Sequence, residues 1–229
     1  MNRIWQFAKW GPYEVDGEAF VENCSLLNQD EVDLAGALIT RDFRHEAFPV
    51  VQLQLTLTDY DADCFMYNML TFVSERMRNA MALGPTEIQY FDVDTRASAP
   101  LPRSKNYKVM NIPVIEDVSD PLLSNYQMRR LTPDTPEVPI LVHEIAIRPD
   151  AQPTHQLFWD KFFRGYTFCT DALAMRVLRA GCTGVRFFDT SRISLLRPKR
   201  FRTLRGVEES GDWDSVNKIL HTTLVEAIH

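Results

Sequence analysis

The strongest constraint on the fold of this chain is a stretch that occurs twice. Thr71-Phe72-Val73-Ser74-Glu75 opens a short amphipathic run that closes on Gly84-Pro85-Thr86-Glu87-Ile88-Gln89-Tyr90-Phe91-Asp92. Thr167-Phe168-Cys169-Thr170-Asp171 opens a similar run that closes on Gly181-Cys182-Thr183-Gly184-Val185-Arg186-Phe187-Phe188-Asp189. The offset between copies grows from 96 to 97 along the run, which corresponds to one residue added inside the second helix. Each copy carries what a strand, a helix and a returning strand require. Ser74, or Thr170 or Asp171, is a helix N-cap, and an acid sits in the positive first turn. Met77, Ala80, Met81 and Leu83 form an apolar stripe at helical spacing in the first copy. Leu173, Ala174, Val177 and Leu178 do so in the second. A glycine then stops each helix. These are scaffold requirements, so the repeat reads as a duplicated packing unit rather than a duplicated reaction centre.

Other segments extend the picture. Residues 3–10 alternate as a strand, with Ile4 and Gln6 on one side and Trp5 and Phe7 on the other. Val51 to Leu57 alternates with period two and reads as a half-buried strand. Residues 107–115 read as one strand in which Pro113 favours an edge or a bulge. Residues 131–139, with three prolines, read as loop, and 140–147 as a strand. Residues 18–41 are mixed. Asp212 can cap a terminal helix over 212–228 whose Trp213, Val216, Ile219, Leu220 and Leu224 share a face. The expected fold is α+β: two related strand–helix–strand units around a mixed or antiparallel sheet, with a C-terminal helix. It is expected as a single domain over 1–229, with lobes 1–100 and 101–229 each holding one copy.

Composition excludes several function classes. With 45% hydrophobic residues the chain can bury a real core. No run approaches the length of a membrane span, and the N-terminus lacks a secretory leader, so no membrane partner and a cytoplasmic location are expected. The net charge of −6 argues against a general nucleic-acid binder. Residues 192–205 are the exception, with Arg192, Arg197, Lys199, Arg200, Arg202 and Arg205 and no acid. Those bases are expected to pair with the acidic remainder of the same chain. The four cysteines are scattered without a CxxC pair and are expected as buried thiols.

Reaction centres are equally hard to find. Asp59, Asp61 and Asp63 have the spacing that opens a calcium loop, but the sixth and twelfth positions are Cys64 and Leu70 rather than glycine and glutamate. His143-Glu144 lacks the second histidine of a zinc-hydrolase helix, and His155 lies near Asp160 without a recurring spacing. Nucleophile elbows, phosphate loops and dinucleotide fingerprints are absent from the sequence. Catalytic, cofactor and metal residues are therefore expected to be none.

Three segments resemble a known family. They are Phe72-Val73-Ser74-Glu75-Arg76, then Asn106-Tyr107-Lys108-Val109-Met110-Asn111-Ile112 with Asp117 after it, and Ala180-Gly181-Cys182-Thr183-Gly184-Val185-Arg186-Phe187. Together, over roughly residues 45–190, they resemble the bacterial immunity proteins called immunity protein eleven. The resemblance implies an antidote that binds and neutralises a cognate secreted toxin acting in the cytosol, and it brings no catalytic residues. Its partner is expected to be a basic toxin domain, because clefts that hold phosphates are lined with lysine and arginine. Asp59, Tyr60, Asp61 and Asp63 are the first expected partner-binding residues, and Asp92 and Asp94 the second. The alternatives are an enzyme that reverses a toxin's modification or acts on a small molecule, for example through His143 and Glu144, and a nucleic-acid adaptor using residues 192–205.

Overall fold

A computed structural model describes residues 4–9, 21–36, 44–57, 62–100, 105–130 and 136–190. The expected terminal helix over 212–228, the basic stretch 192–205, and Asp59, Tyr60 and Asp61 lie outside the described residues.

In chain order the elements are β1 (Ile4–Lys9), β2 (Val21–Leu26), α1 (Gln29–Gly36), β3 (Val51–Leu57), β4 (Cys64–Tyr67), β5 (Leu70–Val73), α2 (Glu75–Met81), β6 (Gln89–Ala97) and β7 (Lys108–Asn111). They continue with β8 (Ile115–Glu116), β9 (Asn125–Arg130), β10 (Glu137–Glu144), β11 (Leu157–Asp160), β12 (Thr167–Thr170), α3 (Asp171–Arg179) and β13 (Val185–Asp189). One sheet has the order β2-β3-β6-β7-β5-β4, a second β13-β1-β12-β11-β8, and β9 and β10 pair separately.

The α+β expectation is corrected by this inventory. Among the described residues strand accounts for 43% and helix for only 15%, so the described fold is mostly β, with three short helices. The repeat is not a self-contained strand–helix–strand unit either. β5 and β6 do not pair with each other, because β7 lies between them, antiparallel to both. β12 and β13 are likewise separated by β1, antiparallel to both. An outer antiparallel strand, β4 or β11, completes each set. The two sets, β4-β5-β7-β6 and β11-β12-β1-β13, match strand for strand. Their connectivity differs, since the inserted strand follows the first copy but comes from the chain's beginning in the second.

Side-chain period explains how the layers close. Trp5 and Phe7 on one side of β1 join Met77 and Met81 of α2 and Leu173 and Val177 of α3 in a central core. Ile4, on the opposite side, joins Phe158, Phe163 and Phe168 in a second core. Val51, Leu53 and Leu55 of β3 pack with Phe65, Phe72 and Tyr107 in a third. Helix α2 begins as expected, with Ser74 Oγ accepting from Met77 N at 3.1 Å. It ends earlier, on the left-handed residue Ala82 (φ 47°), before Gly84 is reached. The single strand expected over 107–115 is two strands in two sheets. Pro113 has no N–H to give to a ladder, and around it the chain passes from β7 to β8. Ile112 O accepts from Trp159 Nε1 at 2.9 Å and Val114 O from Trp159 N at 2.9 Å at this crossing. Pro139, placed in loop by composition, lies within β10, opposite Met128 of β9.

Candidate functional site

Asp63 stands immediately before β4, and its side chain is fully buried. An ionised carboxylate is tolerated there only with charge and hydrogen-bond compensation, and the surroundings supply both. Oδ1 accepts from Ser74 Oγ at 2.6 Å and from Lys105 Nζ at 2.9 Å. Oδ2 accepts from Arg76 Nε at 3.0 Å, Arg76 Nη2 at 2.5 Å, Thr183 N at 3.0 Å and Thr183 Oγ1 at 3.3 Å. The backbone repeats the link: Asp63 N and Cys64 N both donate to Thr183 O at 3.1 Å, and Ser74 N donates to Asp63 O at 2.8 Å. The carboxylate thus joins the first copy's helix cap to the second copy's helix-to-strand loop. The hydrogen bond to Asp63 raises the Arg76 guanidinium further. Burial pushes the Lys105 ammonium down to about 8, which leaves it mostly protonated at neutral pH. Asp63 was expected on a partner-facing surface. Its charge is instead compensated in the interior.

The second copy has the counterpart of this lock. Gln156 stands before β11, and its O accepts from Thr170 N at 3.0 Å, as Asp63 O does from Ser74 N. Gln156 N donates to Glu87 Oε1 at 2.7 Å, in the first copy's helix-to-strand loop. Arg176 Nη1 donates to Gln156 Oε1 at 2.8 Å, and its Nη2 donates to Met81 O at 2.6 Å at the end of α2. Each copy's outer strand is therefore pinned by the other copy's loop. The anionic anchor in one lock is neutral in the other. Aligning the two loops brings Thr86 opposite Thr183, but nothing in local sequence marks Lys105 or Arg176 as lock members.

Asp92 and Asp94 are exposed, on alternate positions of β6. Register places Gln52 beside Asp94, and Ser25 and Arg96 on either side of Gln54, along the open face of β2, β3 and β6. Lys108 on β7 lies opposite Asp92 and pairs with its carboxylate, which holds Asp92 below the ordinary carboxylate range. With Arg96 also exposed, the face carries two acids and two bases. Leu27 (47% exposed) and Val50 (51%) form an apolar corner on the same face. Asn28 fastens that corner: its Nδ2 donates to Val50 O at 2.9 Å and its Oδ1 accepts from Gln52 N at 2.9 Å. A rigid, open, mixed face of this kind suits contact with another macromolecule, in which apolar anchors sit beside polar groups.

The histidines do not converge on a reaction site among the described residues. His143 is exposed on β10, and Glu144 lies opposite Asn125 of β9. His155 pairs not with Asp160 but with Glu116, Nδ1 to Oε1 at 2.6 Å. Asp160 is buried and accepts from Ser119 Oγ at 2.8 Å and Phe163 N at 2.8 Å, among other backbone donors. No cluster of three or more metal-ligating side chains occurs among the described residues, and no helix there is long and apolar enough to cross a membrane. Cys24, Cys64 and Cys169 are buried thiols, and Cys182 is half-buried.

Comparison with known proteins adds one match. Residues 40–192 fit the model of the immunity protein family (Imm11). No curated protein matches the chain.

Proposed function

The chain belongs to the Imm11 immunity protein family, and from that membership we propose that it binds a cognate secreted toxin in the cytosol and neutralises it by covering the active site. The observation that carries this reading is the family match itself, which spans both copies of the repeat and all of the residues in the two locks between them. A scaffold locked in this way can hold a binding face in one shape before the partner arrives, so little ordering is lost on association. The face we assign to the toxin is the open side of β2, β3 and β6. There Leu27 and Val50 supply apolar contact, and Asp92 and Asp94 meet bases of the toxin. Asp59, Tyr60 and Asp61 remain candidates for the same partner.

Co-expression with the toxin encoded beside it tests the function. Restored growth together with a purified complex is the expected result. Restored growth with no complex would favour enzymatic reversal of the toxin's product. Asp92→Lys with Asp94→Lys should weaken toxin binding roughly ten-fold or more, chiefly by slowing association. Unchanged affinity in that variant would remove the β6 face from the interface.

A further inference from the structure

Strands β4 and β5 are joined by a two-residue turn, with Tyr67 opposite Leu70 and Met66 opposite Thr71. The turn residues Asn68 and Met69 both have left-handed backbone, φ 46° and 64°. Tight hairpins of this kind take Asn readily at the first position but favour Gly at the second, because a side chain there strains the backbone. A methionine fills that second position, and the residue is 78% exposed. Met66, on the same hairpin, is 41% exposed. A local rule of folding is broken at a point where an apolar residue is largely presented to solvent, and such breaks concentrate at functional positions.

Two further observations narrow the partner. From Cys64 to Val73 the hairpin has no charged residue, in a chain that is 24% charged. Its base is rigid: Phe65 stacks on Phe72 at 4.9 Å, and Tyr107, edge-on to Phe65, donates through its hydroxyl to Ala62 O at 2.7 Å. A projecting, uncharged tip fits a concave apolar surface and offers nothing to a phosphate. Methionine thioethers adapt to irregular apolar recesses.

The geometry points to the β4–β5 tip as an apolar anchor, with Met66 and Met69 entering an apolar recess on the cognate toxin domain. This assignment rests on the toxin-binding reading and gives it a specific point of attachment. It is separate from the β6 face. Anchors of this kind act mainly on dissociation.

The test is Met69→Gly and Met66→Ser in the full chain, with toxin affinity and thermal unfolding measured together. Met69→Gly is expected to keep Tm at or above that of the wild type while toxin dissociation accelerates about ten-fold. The double variant should dissociate faster still. Wild-type affinity in Met69→Gly would overturn the anchor, and a lowered Tm would overturn the strain argument. Self-association of the wild type that Met69→Gly abolishes would assign the tip to a second copy instead. Absence of toxin binding by the wild type is a different result, and it overturns the functional reading itself.

Discussion

Gly184 and Asp63 act on the same few atoms where β4 begins. A Cβ on Gly184 would lie 1.9 Å from the Cys64 carbonyl oxygen, and its φ of +80° already disfavours any side chain. Gly184→Ala is therefore expected to yield little folded protein. Gly181→Ala, at φ +64° with nothing within 4 Å, should cost about 1–2 kcal/mol. Circular dichroism and solubility distinguish the two. Asp63→Asn leaves Lys105 buried without its counter-charge, and denaturant unfolding should register a loss of about 3–5 kcal/mol. Adding Lys105→Met should recover part of that loss. Glu116 gives a pH test. Burial tends to raise its pKa, but hydrogen bonds from His155 and Thr154 outweigh this and hold it below the usual glutamate value. A folded pKa below the unfolded one means the carboxylate's contribution is present above the ordinary range and is lost as pH falls through the folded value. The stability gap between wild type and Glu116→Gln should accordingly close on acidification in equilibrium unfolding. Asp63 also shows the limit of reading single residues. It looked like part of an acidic turn, and no local signal revealed that Lys105 and Thr183 would fold over it.

At the scale of elements, periodic segments were legible and crossings were not. β1, β3 and the start of α2 fall where alternation and the capping residue put them, and α3 starts at the expected place although Thr170 makes no side-chain cap bond. Ser74→Ala should cost about 1–2 kcal/mol in denaturant unfolding, since the hydroxyl both caps Met77 N and bonds Asp63. The segment 107–115 read as one strand because its apolar pattern is continuous. Whether a strand changes sheets at a proline depends on which neighbours wait on either side, and here these are Phe72 and Phe91 with their strands before Pro113 and Trp159 after it. β4, β8 and β11 are two to four residues long and carry too little periodicity to be distinguished from loop.

For the whole molecule, the decisive strand is the first. β1 lies inside the second sheet, between β13 and β12, and buries Ile4, Trp5 and Phe7, yet it lies ahead of the span that matches the family. Deleting residues 1–9 should split the β13-β1-β12 ladder and unfold the chain rather than shorten it, at about 1.5–3 kcal/mol for each large apolar side chain exposed. Loss of cooperative thermal unfolding is the expected readout.

The sequence by itself determined that one stretch occurs twice, where its helices would start, which faces of the longer strands would be buried, and which family the chain resembles. These are local matters of periodicity, cap chemistry and turn residues. Tertiary structure alone decided that strands would outweigh helices, that β7 and β1 would be inserted between the repeat's strands, and that Asp63 would become an internal lock while Asp92 and Asp94 stayed on an open face. Strand pairing and charge compensation depend on partners far away in the chain, some 120 residues in the case of Asp63 and Thr183. No window of sequence contains both ends of such a contact.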